Sequence, residues 1–275
     1  MRRATDFYLA SASQRGFTLV EMIISIVIAG ILVSMVGLFG REQINAYLDI
    51  GNRAELADAA DTAVRQVARE LQSALPNSVR KNGNFLEFVP IRDAGRYRAD
   101  VDSSGGGNPL NFSSSTDNSF DVLGPPVTIL AGDKLVIYNL GQPGSDVYEA
   151  ASSRRDVTPG SALSTVSFTP GGAQFPLASP QNRFQIVGAP VTYECNLSVG
   201  AIIRHSGYGF QTSVATAPWS QGGSSAILIN DVTYCAFDYT PAVLQRNGLV
   251  VMRLTLSRNG ESVEIMHQVD VLNTP

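Results

Sequence analysis

Residues Arg15–Gly40 read RGFTLVEMIISIVIAGILVSMVGLFG, and the rest of the chain is best understood outward from this stretch. Between Phe17 and Phe39 there is no proline and only one charge, Glu21. At about 1.5 Å per residue, a helix of that length spans roughly 30 Å of hydrocarbon. The run is longer than the apolar core of a secretory signal peptide, and no small-residue cleavage triplet closes it. It therefore reads as a retained anchor. Arg2, Arg3 and Arg15 precede it, so the positive-inside bias leaves the amino terminus in the cytoplasm and sends the following residues across the membrane.

A plain anchor gives no reason for Glu21. An acidic side chain at the centre of a membrane helix costs roughly 2.5–3.5 kcal/mol on insertion scales, and less near an end. Glu21 lies four residues after Phe17. If the chain began at Phe17, a new amino terminus would set a positive charge nearby, and the helix dipole also favours an anion there.

Gly16 followed by Phe17-Thr18-Leu19-Val20-Glu21 resembles the prepilin signature shared by type IV pilins and type II secretion pseudopilins. The resemblance implies cleavage between Gly16 and Phe17 by the prepilin peptidase, followed by N-methylation of Phe17. It also implies that Glu21 engages the amino terminus of a neighbouring subunit during assembly. Removing residues 1–16 would take away three arginines and one aspartate, moving the formal charge from −4 to −6.

Beyond Gly40 the pattern becomes amphipathic. Leu48, Leu56, Ala60, Val64, Val67, Leu71 and Leu75 recur at helical intervals, with charges elsewhere, until Pro76 and Asn77. One helix from about Thr18 to Leu75 is expected, with a membrane half (17–40) and an amphipathic half (41–76). Gly37 and Gly40 fit either close packing among neighbouring helices or a joint that extends in a filament. Many major pilins have a proline in this region. This chain has Leu38 there instead.

Residues 77–275 turn to short β-branched and aromatic segments bounded by Gly, Pro, Asn and Asp. Strands are expected at Phe85–Ile91, Ser119–Leu123, Lys134–Asn139, Arg183–Val187, Val191–Cys195, Ala201–Arg204 and Val232–Tyr239. A closing hairpin would turn at Asn259-Gly260. Ser103–Asn108, Gly141–Gly144 and Pro170–Pro180 read as surface loops. The predicted class is α+β: a long N-terminal transmembrane and amphipathic helix packed on an antiparallel β-rich globular domain. The two cysteines, Cys195 and Cys235, are either buried thiols or one disulfide, and an exported domain in an oxidising compartment favours the disulfide.

Fragments of this domain carry a second resemblance. DTAVRQVARELQSALPNSVR, AGRYR, FDVLG, LVIYNLG, RFQIVGAPVTYEC and GLVVMRLTLSRNGESVEIMHQVDVLNTP occur in the order seen in minor pilins of the mannose-sensitive haemagglutinin (MSHA) pilus system. The resemblance also places cysteines at Cys195 and Cys235. It implies a pilin-like fold and a low-abundance subunit that helps start or cap pilus assembly, and hence serves surface adhesion. Its implied partners are the prepilin peptidase, other major and minor pilins and the inner-membrane assembly platform. The expected location is the inner membrane, single-pass, with the exported domain in the periplasm or on the pilus. A type II secretion pseudopilin, or a membrane-anchored binding or enzymatic domain, are the alternatives.

The remaining residues give little sign of other chemistry, and no cofactor, metal, nucleic acid or enzymatic activity is expected. The net charge of −4 gives no basic footprint. No G-x-S-x-G, H-E-x-x-H, P-loop or C-x-x-C occurs. His205 and His267 belong to no ligand cluster, and His267 reads as a strand residue. Gly207–Gln211 (GYGFQ) reads as a turn. Asp100, Asp102 and Asp117 lie in an oxygen-rich setting without the spacing of a calcium loop. Arg92, Arg96 and Arg98 around Tyr97 read as salt-bridge formers rather than a DNA contact, and Trp219 as a core plug rather than a sugar platform.

Overall fold

The computed structural model describes residues 16–150, 153–171, 175–214, 220, 222–241 and 247–272. Residues 1–15 and Trp219 lie outside them. One helix, α1 (Leu19–Gln72), runs unbroken for 54 residues through Gly37 and Gly40. It closes three residues before the expected end. Ala74 instead bridges Pro90, and the Leu75 N–H donates to the Val89 carbonyl at 2.7 Å. Pro76 disfavours helical geometry at the residue before it, which accounts for the early exit.

Residues 52 onward form one compact unit. Its strands follow as β1 (Arg80–Asn82), β2 (Phe85–Phe88), β3 (Ile91–Tyr97), β4 (Ser119–Leu123), β5 (Val127–Ile129), β6 (Lys134–Val136), β7 (Arg154–Asp156) and β8 (Gly160–Leu163). The chain continues through β9 (Thr165–Ser167), β10 (Arg183–Val187), β11 (Val191–Asn196), β12 (Ala201–Ser206), β13 (Ser224–Ile229), β14 (Val232–Thr240), β15 (Gly248–Arg258) and β16 (Glu261–Val271). All of their pairings are antiparallel. They build sheets of order β1-β2-β11-β12-β13, β7-β6-β10-β3-β4-β9 and β14-β15-β16, with a small β5-β8 pair.

The class is therefore α+β, with the helix packed on an antiparallel β-rich domain. Leu56, Ala60, Val64, Val67 and Leu71 form the buried stripe of α1. Leu48, expected on this stripe, is exposed. The stripe meets Leu86 and Phe88 of β2, Val191 and Tyr193 of β11, and Val250, Met252 and Leu254 of β15. Small residues Ala60 and Ala63 bring the helix close to the sheets. A second core lies around the six-stranded sheet, where Phe120 packs edge-on to Phe184 with ring centroids 5.1 Å apart.

Two local differences have clear causes. The expected strand Phe85–Ile91 is two strands, separated at Val89 and Pro90, because proline has no N–H to continue a ladder. The strand from Lys134 stops at Val136, shortly before Tyr138, which adopts a left-handed φ of 52°. The closing hairpin is as expected, with Asn259 and Gly260 at φ 54° and 86° between two 11-residue strands.

Cys195 of β11 and Cys235 of β14 are joined by a disulfide, with Cα atoms 5.8 Å apart. Both are buried in the core beneath the helix, so the bond ties the five-stranded sheet to the three-stranded one.

Candidate functional site

The N-terminal segment is built from helix-start chemistry. Thr18 is the last residue before the helix, and its Oγ1 accepts the backbone N–H of Glu21 at 3.3 Å. Its carbonyl accepts the N–H of Met22 at 3.2 Å. Thr18 is thus an N-cap, with Glu21 at the third helical position, the spacing of a capping box. From the sequence, Glu21 is expected to favour the helix start through the dipole and to meet an amine, its own or a neighbour's; the Thr18 cap is not among those expectations.

Among the described residues, no side chain bonds the Glu21 carboxylate. It sits in the first turn, where helix N–H groups point outward and favour negative charge. Phe17, one residue before the cap, is 80% exposed. The geometry leaves both the expected new terminus and the carboxylate open to a partner.

The following turns show apolar side chains on every side. Leu19, Val20, Ile23, Val27, Ile31, Val36 and Phe39 are all exposed. Ser25 Oγ donates to the Glu21 carbonyl at 2.7 Å, and Ser34 Oγ to the Gly30 carbonyl at 2.9 Å. These hydroxyls are satisfied by the helix itself, as an apolar solvent demands. By length and composition, this helix can cross a membrane. A Cβ built at Gly30, Gly37 or Gly40 meets nothing within 4 Å, so no contact inside the chain requires glycine there.

The other residues singled out from the sequence do not converge with this segment. Arg92 pairs with Asp133 at 2.8 Å and Arg98 with Asp121 at 3.3 Å, while Tyr97 is buried in the second core and cannot present its ring to a base. Asp102 accepts bonds from Ser104 and Gly106 in its own loop, and Asp117 accepts the Asn111 N–H. Those bonds hold the Asp102 carboxyl below its usual range. Among the described residues, no group of three or more His, Cys, Asp or Glu side chains is placed to hold a metal. His267 lies in β16, opposite Met252.

His205 belongs to a polar row that sequence reasoning missed. Strand register places Arg80, Glu87, Thr192, His205 and Ser225 opposite one another across five strands. Arg80 pairs with fully buried Glu87 and lies 3.4 Å from the centroid of the Tyr148 ring. The Tyr208 hydroxyl donates to Glu87 at 2.9 Å and bonds Thr192. Burial raises the Glu87 carboxyl above its ordinary range, against the pull of Arg80. Burial and the charge of Glu87 push the Tyr208 hydroxyl far up. At the far end, His205 Nε2 lies 2.9 Å from Glu194 Oε2, and Nδ1 lies 2.7 Å from Ser225 Oγ.

This Ser–His–Glu connectivity has the order of a nucleophile relay. Register sets Ser225 opposite His205 on one side and Thr192 on the other, and Glu194 reaches His205 diagonally from the next outward position of β11. A cleft of about 740 Å³ near the end of α1 includes Glu70, Arg92, Leu130, Val191 and Arg204 in its lining. Its central charges answer each other, with Arg204 Nε at 3.1 and 3.0 Å from the two Glu70 oxygens.

Residues 11–37 match the family model described as the prokaryotic N-terminal methylation motif. No curated protein and no solved structure matches the chain. The motif covers the expected cleavage point, Glu21 and the start of the exposed apolar helix. It marks the N-terminal segment as type IV prepilin-like, which implies processing by a prepilin peptidase and anchoring in a membrane.

Proposed function

We propose that this chain is an MshO-like minor pilin of an MSHA-type type IV pilus. The prepilin peptidase cleaves it between Gly16 and Phe17 and methylates Phe17. Before assembly it stands in the inner membrane with its β domain in the periplasm. Glu21 then docks against the amino terminus of a neighbouring pilin as the assembly platform adds subunits. Its role is to start or support the pilus, and through the pilus it serves adhesion.

One feature carries this reading: six fragments from the amphipathic helix and the exported domain resemble, in order, those of MSHA minor pilins, behind a leader that matches the N-terminal methylation motif. Type II pseudopilins share the leader signature, and it is the resemblance of the exported fragments that favours the pilus reading over that one. The test is Glu21→Ala in a strain lacking the wild-type copy. Processing should continue while surface pili, counted by electron microscopy, become fewer. Normal piliation with the variant as the sole copy would contradict the docking role.

A further inference from the structure

Glu194-Cys195-Asn196-Leu197-Ser198 closes β11 and opens the turn into β12. Asn-x-Ser without an intervening proline is an acceptor pattern for N-linked sugar, and it belongs on a surface turn of an exported domain. The fold gives it that setting. Residues 197–200 form the turn, with Leu197 48% exposed, Val199 62% exposed and Ser198 exposed between them. Gly200 takes φ 69°, which lets the chain reverse into Ala201.

The Asn196 amide is held at both ends. Ser198 Oγ donates to Asn196 Oδ1 at 2.6 Å, and the Val199 N–H donates to the same oxygen at 3.2 Å. Asn196 Nδ2 donates to Glu194 Oε1 at 3.0 Å. An amide nitrogen is a weak nucleophile because its lone pair is shared with the carbonyl. Donors on the oxygen and a carboxylate on the N–H both make its proton easier to remove. Nδ2 carries two N–H groups, so a sugar can replace one while the other keeps its bond to Glu194. The turn therefore accommodates the product with its own bonds intact.

A second Asn-x-Ser, at Asn111-Phe112-Ser113, lacks these features. Pro109 stands where Glu194 does, two residues before the asparagine. The Asn111 Oδ1 accepts the Ser113 backbone N–H instead of a hydroxyl in the printed geometry of that turn. Its middle residue, Phe112, packs into the second core against Tyr97 and Phe175, whereas Leu197 points out.

We propose that Asn196 is an N-glycosylation site. The donor is an oligosaccharide linked to a lipid pyrophosphate, transferred by a membrane oligosaccharyltransferase on the side to which the β domain is exported. The bond from Asn196 Nδ2 to the sugar C1 forms as the bond from C1 to the pyrophosphate oxygen breaks. The lipid pyrophosphate leaves, and the amide proton passes to a carboxylate, for which Glu194 is placed. Of the functional reading above, this inference uses only the export of the domain.

The test is mass spectrometry of peptides from the full chain purified from its native membrane. A glycan mass on the peptide that contains Asn196 is expected. Asn196→Gln and Ser198→Ala should lose it, Ser198→Thr should keep it, and Asn111→Gln should leave it unchanged. An unmodified Asn196 overturns the proposal, as does an added mass that persists in Asn196→Gln. The same digest reports the amino terminus. A methylated Phe17 beside an unmodified Asn196 therefore rejects the glycan and leaves the prepilin reading standing.

Discussion

The hydroxyl of Thr18 accepts the backbone N–H of Glu21 at 3.3 Å, so the first turn of α1 is fixed by two residues just beyond the expected cleavage point. That bond uses the Glu21 backbone and not its carboxylate, so the helix start and the proposed docking charge are distinct roles of this turn. The two roles separate by substitution.

Glutamine serves at the third position of a capping box as glutamate does, but it carries no charge. If docking depends on charge, Glu21→Gln lowers piliation as strongly as Glu21→Ala. If only the cap matters, Glu21→Gln restores pili and Thr18→Ala removes them. The docking account expects the first pattern, read by counting pili on cells expressing each variant alone.

The buried pair of Arg80 and Glu87 provides a pH-dependent test. Burial raises the Glu87 carboxyl above its ordinary 4.5, so the folded state holds the proton more tightly than the unfolded one. The stability this contributes is fully present below about pH 4.5 and is lost as pH rises through the raised value. Glu87→Gln removes that dependence. The stability of wild type relative to the variant should therefore fall as pH rises above about 4.5 and through the raised value, in denaturant unfolding at each pH.

Removing the cation alone is more damaging. Arg80→Ala leaves Glu87 buried without its partner and frees the carbonyls of Gln211, Thr212 and Ser213 that Arg80 holds. A loss of about 3–5 kcal/mol is expected. Replacing both residues, Arg80→Met with Glu87→Leu, should recover much of it in the same unfolding assay.

Gly95 of β3 lies opposite Phe184 of β10, and a Cβ there would sit 2.8 Å from two carbons of the Phe184 ring. Gly95→Ala should destabilise the domain by roughly 1–3 kcal/mol through overpacking. Adding Phe184→Leu should relieve part of that cost, a non-additivity that a double-mutant cycle measures.

The Cys195–Cys235 bond closes a separation of 40 residues between two sheets. Reduction, or Cys195→Ser with Cys235→Ser, should cost about 2–4 kcal/mol. Denaturant unfolding of the full chain with and without reductant gives the difference.

The elements that the sequence made legible share one property: they repeat a pattern along the chain. The apolar run from Phe17, the stripe from Leu56 to Leu71, and the alternation about Asn259-Gly260 each announce their element locally. β13 was missed because Ser-Ser-Ala has no β-branched alternation, and its place is set by pairing with β12. β3 was read as a basic group because its arginines mask its alternation, and Tyr97 is the inward residue that reveals it. The polar row ending at Ser225 was unreadable for a different reason. Its members come from five segments between Arg80 and Ser225, and only register aligns them. Glu21 stood out in the sequence because charge is expensive in an apolar run. The Thr18 cap carries no such cost, so nothing in the apolar pattern sets it apart.

The central claim is that the segment around Gly16, Phe17 and Glu21 is processed as a prepilin. Mass spectrometry of the amino-terminal peptide from protein purified from its native membrane tests it most directly. The account predicts a chain beginning at Phe17 with a methylated amine. A membrane-anchored chain that still carries residues 1–16 would contradict it.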